Sequence, residues 1–419
     1  MTDMKRVLVV GGGGREHALA WRLSQEAEVH VAPGNGGTES IGTNHRLNVT
    51  DVRATVALAK TLRADLVVVG PEAPLALGLV DALEAAGIAA FGPKREAAQL
   101  EASKVFSKAL MEEAGVPTAD ARSFTDAAEA RTYIHACGRP MVVKADGLAA
   151  GKGVVVAASA DEAAEAVDQM LEGRAFGDAG ARVLVEERLE GREVSFHAIC
   201  AGDVVVPLAT AQDHKRAYDG DEGPNTGGMG AYSPVPFVGP DLEARIVNEC
   251  VRPILKALGA RGIEFRGVLF VGLMVLDDDL RVLEYNVRFG DPECQVLMAR
   301  WAGALLPVLE NAAKGTLQSF EPTWSAPAAT AVVLASGGYP RAYERGKAIE
   351  LGEPREGAQL FHAGTAYRGG QLETAGGRVL AVVGTGDTVK ASTDVAYGRA
   401  SSVAFEGKML RNDIAWQAR

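Results

Sequence analysis

Val142-Val143-Lys144-Ala145-Asp146-Gly147-Leu148-Ala149-Ala150-Gly151-Lys152-Gly153-Val154-Val155 is the stretch from which the organisation of the chain is read. Two β-branched runs flank a loop of glycine, alanine, one aspartate and a lysine, which predicts a strand–loop–strand hairpin. Lys144 ends the first strand in this reading, and Lys152 sits at the loop tip. Glycines there let backbone come close to a ligand. Exposed N–H groups beside two ammonium groups make a place for polyphosphate. The stretch is not a P-loop. Its glycine spacing differs, Gly153 stands where Ser or Thr is needed, and a strand follows instead of a helix.

Around this hairpin the chain has 419 residues, too many for one hydrophobic core, so two to four domains are expected. The net charge of −11 argues against a nucleic-acid partner, which calls for a basic face. No apolar run is long enough to span a bilayer, and the N-terminus enters a strand directly, so no membrane partner is expected. Cys137, Cys200, Cys250 and Cys294 are scattered without a CxxC pair. Free thiols in a reducing cytoplasm fit that spacing better than a disulfide framework or a zinc site.

The first hundred residues alternate strands and helices, as in a parallel α/β sheet with ligands at the strands' carboxyl ends. Strands are expected at 6–10, 29–32, near 47–49, 66–69 and 88–91, with helices at about 15–25, 52–62 and 79–86. Gly11-Gly12-Gly13-Gly14 opens onto the first helix. A dinucleotide site is disfavoured: Glu16 occupies the place of the third glycine, and no acid follows the second strand to hold a ribose. A small phosphorylated ligand at the helix N-terminus fits better. Gly12, Gly13, Arg15 and Glu16 lie on that rim with Gly34, Asn35, Pro71 and Glu72. His17 has no nucleophile beside it for a triad; it anchors the helix or touches the ligand.

From 116 to 187 a separate strand and helix pattern reads as a small mobile lid. It contains the hairpin, a helix near 161–172, a loop at 173–180, and a strand at 182–185 ending in Glu186-Glu187. These acids and Leu189 make a hinge able to read a base edge, with Glu193 further on for a ribose; a pair of merely solvated acids is the commoner alternative and stays open at this point. Asp213-His214-Lys215-Arg216 and the run from Gly223 to Gly230, which includes Asn225, form a second long polar loop. A strand at 267–276, an aspartate turn and a strand at 281–287 then make another hairpin. Glu284 and Asn286 are two apart and share one face. A carboxylate and an amide oxygen side by side are hard ligands suited to Mg²⁺ on nucleotide phosphates. Arg288 follows two further on, with Asp291-Pro292-Glu293 in the turn.

Seven segments in order, GGGGREHALAW, APGNGGT, VVGPEAPL, KADGLAAGKGV, QDHKR, GPNTGGMGAYSP and NVRFGDPE, run from the first strand to about residue 293. Through them the chain resembles the ATP-grasp ligases, and most closely the phosphoribosylamine–glycine ligase family of purine biosynthesis. The resemblance implies three parts: an N-terminal parallel α/β substrate domain (1–100), an ATP-grasp domain (101–325) with the lid at 116–187, and a C-terminal α+β domain (326–419). It implies ATP with Mg²⁺ or Mn²⁺ as cofactors, glycine and 5-phosphoribosylamine as substrates, and a cytoplasmic protein. A monomer is expected, a weak dimer being the alternative. By motif, Lys104, Lys144, Gly147, Gly151 and Lys152 would meet ATP phosphates, and Glu186, Glu187, Leu189 and Glu193 the adenosine. Glu284 and Asn286 would bind the metal. Lys144, Arg288 and Asp291 would be catalytic. Arg288, Asp213, Lys215 and Asn225, with the first-domain rim, would hold the other substrates. One departure concerns the metal: residues 267–275 contain no acid where many ATP-grasp enzymes carry one.

From residue 330 onward, short strands at 331–335, 347–351, 360–363, 372–374 and 378–383 precede a helix near 389–403. This compact α+β module is expected to cover the cleft. Two other classes stay open at this level. Another ATP-grasp ligase or a carboxylase would share the ATP half, and a non-catalytic nucleotide-binding protein would lack turnover.

Overall fold

The computed structural model describes residues 4–148, 153–173 and 180–418. Gly151, Lys152 and most of the 173–180 loop lie outside these.

Continuous apolar runs make the first sheet. Arg6–Gly11 lies centrally, flanked by Glu28–Pro33 and Leu66–Val69, with Thr43–Asn44 and Ala90–Phe91 at the edges. Every pairing in it is parallel, and the interior positions are fully buried, as helices on both faces demand. Chain direction across the sheet reverses between Arg6–Gly11 and Leu66–Val69, so the crevice at this switch point opens beside Gly11 and Gly70.

The lid carries a four-stranded sheet in the order Ala121–Phe124, Val183–Glu187, Met141–Ala145, Val154–Val156. The opening stretch is indeed a hairpin, with Lys144 opposite Val154. Its strand runs one residue past Lys144 to Ala145. Helices Ala127–Cys137 and Ala160–Leu171 pack on this sheet around Ile134, Met141, Val143 and Val167. The central sheet is antiparallel: Val204–Pro207, Arg192–Ala201, Arg266–Leu276, Asp279–Asn286. In the last pairing Gly272 faces Glu284 and Leu273 faces Val282, so Leu283 is an extra residue, a β-bulge.

The C-terminal sheet is built around Ala328–Ser336 and Arg378–Gly386, with Ala358–His362 outside them. It also takes Gly230–Ser233 and Gln212–Asp213 from the middle of the chain. Helix Val389–Ala400 covers it.

Several expectations are corrected. Residues 47–49 form no strand: Leu47 and Val49 pack half-buried on the core, while Thr43–Asn44 makes the edge pairing. The 88–91 strand shrinks to Ala90–Phe91. Residues 347–351 make only isolated bridges, Ala348 to Glu373 and Glu350 to Ala404. Past Gly70-Pro71 the rim continues as a short helix, Glu72–Ala76. Pro74 falls in the first turn, where its missing N–H costs no hydrogen bond. The polar loop after Asp213 folds into a hairpin of Arg216–Tyr218 and Glu222–Asn225.

Candidate active site

Lid, central sheet and N-terminal rim close on a cavity of about 330 Å³. Of the residues singled out above, Arg15, Glu72, Lys104, Lys144, Gly147, Glu186, Glu284, Asn286, Arg288 and Asp291 line it.

At the lid end, Lys144 points from its strand toward Glu186 on the neighbouring strand, with Nζ–Oε2 2.6 Å. Its ammonium also donates to the Leu283 carbonyl at 3.0 Å. That carbonyl belongs to the bulge residue, so the bulge turns a backbone acceptor out of the ladder and into the site. Lys108 holds the other oxygen of Glu186 at 2.9 Å and donates to Thr118 and Ala119. Burial raises the Glu186 carboxyl, but the two ammonium groups outweigh it and hold the group below its ordinary range. Lys104 donates to the Gly147 carbonyl at 3.0 Å, tying the hairpin loop to the helix it begins. Asp146 strengthens the tie by accepting from Ser103 Oγ at 2.9 Å and from the Val105 N–H at 3.2 Å.

In the middle, Glu284 and Asn286 face the cavity from one side of their strand. Gly272 leaves the room: a Cβ there would lie 3.2 Å from Glu284 Cγ. Burial pushes the Glu284 carboxyl up, yet Lys215, Lys144, Lys104 and Arg288 together keep it below its usual value. Tyr285, between them, points the other way and donates to the Cys250 carbonyl at 2.6 Å.

At the far end, Arg288 donates to Asn286 Oδ1 at 3.1 Å and pairs with Glu101 at 2.8 Å, with Glu72 at 3.8 Å. Asp291 accepts from Gln295 at 2.7 Å and pairs with Arg378 at 3.0 Å. Burial opposes its charge, but Arg378 and Arg15 lower its pKa. Arg15 is buried, with Nε on Glu16 at 2.6 Å and Nη1 on the Phe289 carbonyl at 3.1 Å.

Other expected positions fall outside this cavity. Gly12 and Gly13 stand at the mouth of the first helix, but Glu16 Oε2 already accepts the Gly13 N–H at 2.7 Å. Asn35 is turned from the rim. Its Nδ2 donates to the carbonyls of Gly12 and His362, and its Oδ1 accepts from Gly37 and Thr38, so no side-chain bonding capacity remains for a ligand. Gly34, at φ 73°, is packed against Asn44. Pro71 caps the short helix that carries Glu72. Glu187, next along the strand from Glu186, projects to the opposite face and accepts from the Asp120 N–H at 3.1 Å. Leu189 follows that strand in an irregular segment, half-buried. Glu193 is engaged by Lys215 at 2.7 Å. Burial lifts Asp213 beside them to about 8, with Lys215 opposing and Glu293, Glu193 and Glu284 adding to the rise. Asn225 sits in the hairpin opposite Arg216. His17 is an anchor: its Nδ1 accepts the His362 N–H at 2.7 Å and joins the first helix to the C-terminal sheet.

Residues 5–101, 102–294 and 329–417 match, in order, the phosphoribosylglycinamide synthetase N domain, ATP-grasp (A) domain and C domain. The chain belongs to the phosphoribosylglycinamide synthetase family. A phosphoribosylamine–glycine ligase of Rhizobium meliloti (strain 1021) is 50% identical over 417 residues, covering 99% of this chain and 98% of that one. The crystal structure of phosphoribosylamine–glycine ligase from Thermotoga maritima superposes with a TM-score of 0.86 at 38% identity, over 98% of this chain and all of that one (100%). The biotin carboxylase domain of Hydrogenobacter thermophilus 2-oxoglutarate carboxylase, solved with MgADP, ADP and bicarbonate, gives 0.75 at 16% identity over 97% of this chain and 92% of that one. That likeness is one of fold alone.

The cavity also includes residues to which the sequence assigned no role. Lys108 was detectable, since it lies one turn from Lys104 on the same helix face. Ser107, whose buried Oγ has no hydrogen-bond partner among the described residues, had no such signal. Glu101 and Arg378 had none either, because only the fold brings them to Arg288 and Asp291. The ATP-grasp domain carries ATP binding with it. Among the described residues no cluster of three or more His, Cys, Asp or Glu side chains could hold a metal by itself. The residues nonetheless fit a nucleotide-borne Mg²⁺. The Glu284 carboxylate, held below its usual range, accepts no side-chain hydrogen bond from the described residues, and Asn286 Oδ1 accepts only from Arg288. Mg²⁺ commonly takes one or two protein oxygens and completes its shell with phosphates and water. Among the described residues no helix is long and apolar enough to cross a membrane.

Proposed function

We propose that this chain is an ATP-dependent ligase. It joins glycine to 5-phosphoribosylamine through glycyl phosphate and yields glycinamide ribonucleotide, ADP and phosphate for purine biosynthesis. The observation that carries this reading is the order of groups along the cavity: Lys104, Lys144 and Glu186, then Glu284 and Asn286, then Arg288 and Asp291. A triphosphate with its base near Lys108 and Glu186 then has its γ-phosphoryl beside the two hard oxygens, with an acceptor between them and the N-terminal rim.

A glycine carboxylate resists attack by an amine until one oxygen is made a leaving group. Phosphoryl transfer accomplishes that, and it requires mainly positioning and charge neutralisation. In this reading Lys144 and Lys104 neutralise phosphate oxygens, with Glu186 and the Leu283 carbonyl fixing Lys144. Glu284 and Asn286 would hold Mg²⁺ or Mn²⁺, which when bound offsets charge on the transferring group. Arg288 steadies the carboxylate end, and Asp291 faces the amines. Glu72, Arg15 and the Gly12–Gly13 turn form the ribosylamine side. No side-chain nucleophile takes part. Closing the lid over the site keeps water from the acyl phosphate.

We further propose a monomeric catalyst and a cytoplasmic location, the latter consistent with four unpaired cysteines. The proposed domain limits, at residues 100 and 325, leave the strands at 212–213 and 230–233 as a contribution of the ATP-grasp part to the C-terminal sheet. The test is ADP release measured with each substrate omitted in turn and with bicarbonate in place of glycine. Release requiring both glycine and phosphoribosylamine supports the reading; release with bicarbonate, or with neither, refutes it.

A further inference from the structure

Arg378 reaches the site from the C-terminal sheet, 87 residues after the side chain it holds. Its Nη2 pairs with Asp291 Oδ2 at 3.0 Å, and its Nη1 donates to the Asp291 carbonyl at 2.8 Å and the Gly227 carbonyl at 2.6 Å. All three residues line the cavity. Two backbone features serve this contact. In the pairing of Ala328–Ser336 with Arg378–Gly386, Leu334 faces Leu380 and Ala335 faces Arg378, so Val379 is an extra residue. Such a bulge re-aims the neighbouring side chain, and here that side chain is Arg378. On the other side, a Cβ at Gly227 would lie 3.0 Å from the guanidinium carbon, a tight contact that would push the guanidinium back by a few tenths of an ångström. The Gly227 N–H in turn donates to the Tyr339 hydroxyl at 3.1 Å. Both polar backbone groups of this cavity-lining glycine are thus held by the C-terminal module.

We propose that Arg378 is a positioning residue for the non-nucleotide end of the site, fixing the Asp291 carboxylate and the Gly227 backbone against which glycine and the ribosylamine are placed. The C-terminal module is then a working wall of the site. An interdomain staple would serve equally well pointing away from the cavity and would not need the bulge. The inference rests on the functional reading above, which puts the amine-bearing substrates at Asp291.

The test is steady-state kinetics of full-length Arg378→Ala, Arg378→Lys and Gly227→Ala, with thermal unfolding measured in parallel. Losing a charge-assisted contact on Asp291 is expected to raise KM for glycine, the ribosylamine or both about tenfold or more in Arg378→Ala. The ATP KM stays within about twofold. Arg378→Lys should recover part of the loss, because an ammonium keeps the charge without the two-pronged geometry. Gly227→Ala, which displaces the guanidinium slightly, should raise the same KM values by less than Arg378→Ala does, and the double variant should be no worse than Arg378→Ala alone, as for residues acting as a unit. Should Arg378→Ala not fold, Arg378→Lys and Gly227→Ala carry the test. Unchanged KM values for both acceptors, or an equal rise for ATP, would overturn the proposal. A wild-type chain without glycine- and ribosylamine-dependent ADP release would instead overturn the functional reading beneath it.

Discussion

Replacing Lys144 by Met keeps the length of the side chain and removes the charge. The variant leaves the bulge carbonyl of Leu283 without its donor and Glu186 with one cation, Lys108, instead of two. Breaking a buried pair outright costs about 3–5 kcal/mol, because one charge is stranded. Here Lys108 stays 2.9 Å from Glu186, so the stability loss should be nearer one charge-assisted hydrogen bond, about 1.5–3 kcal/mol. The same magnitude applies to the lost contact with nucleotide phosphate and corresponds to about 10- to 150-fold in kcat/KM for ATP. Coupled ADP release across ATP concentrations, with denaturant unfolding alongside, separates the two effects. The phosphoribosylamine KM should hardly move, since Asp291 and the N-terminal rim lie at the other end of the cavity. An unchanged kcat/KM for ATP would refute the placement of Lys144, and so would an equal loss for both substrates.

Glu284→Gln should abolish turnover without lowering the unfolding temperature; normal activity at low Mg²⁺ would remove Glu284 from the metal site. A Cβ at Gly13 would lie 2.8 Å from Glu16 Oε2 and 3.5 Å from Asp291 Oδ2. Gly13→Val should therefore weaken use of the ribosylamine while ATP binding, measured by titration, stays near normal; equal losses, or protection of the wild type by NAD, would contradict this. Burial lowers His17 and His197 to about 3, and His214 and His362 to about 4, so near pH 5 all four stay neutral when folded and take up protons on unfolding. Stability is thus full above the unfolded value of about 6.5 and falls with pH below it, by about 2 kcal/mol per histidine at pH 5; a flat unfolding temperature between pH 7 and 5 would refute this.

Much of the site was legible in the sequence because its chemistry lies in local patterns. The Lys144 strand and the two-residue spacing of Glu284 and Asn286 each occupy one element, and the period of that element fixes their direction. What escaped is tertiary. Asn35 reads as a rim residue, but its amide is consumed in joining Gly12 to His362, a partner more than three hundred residues away. Glu193 reads as a ribose ligand until folding sets Lys215 beside it. Arg378 sits in an apolar strand of no special composition, and only the bulge at Val379 and the sheet's position aim it at Asp291. Leu47 and Val49 show the limit for the fold: apolar side chains found the core, but no neighbouring strand was available to pair their backbone.

The central claim is that the nucleotide's phosphoryl group passes to the glycine carboxylate before the amine attacks. Glycine labelled with oxygen-18 in its carboxylate, turned over with ATP and phosphoribosylamine, tests it directly by mass spectrometry of the released phosphate. The account predicts one labelled oxygen in each inorganic phosphate and one left in the glycinamide ribonucleotide. Unlabelled phosphate formed together with that product would contradict it.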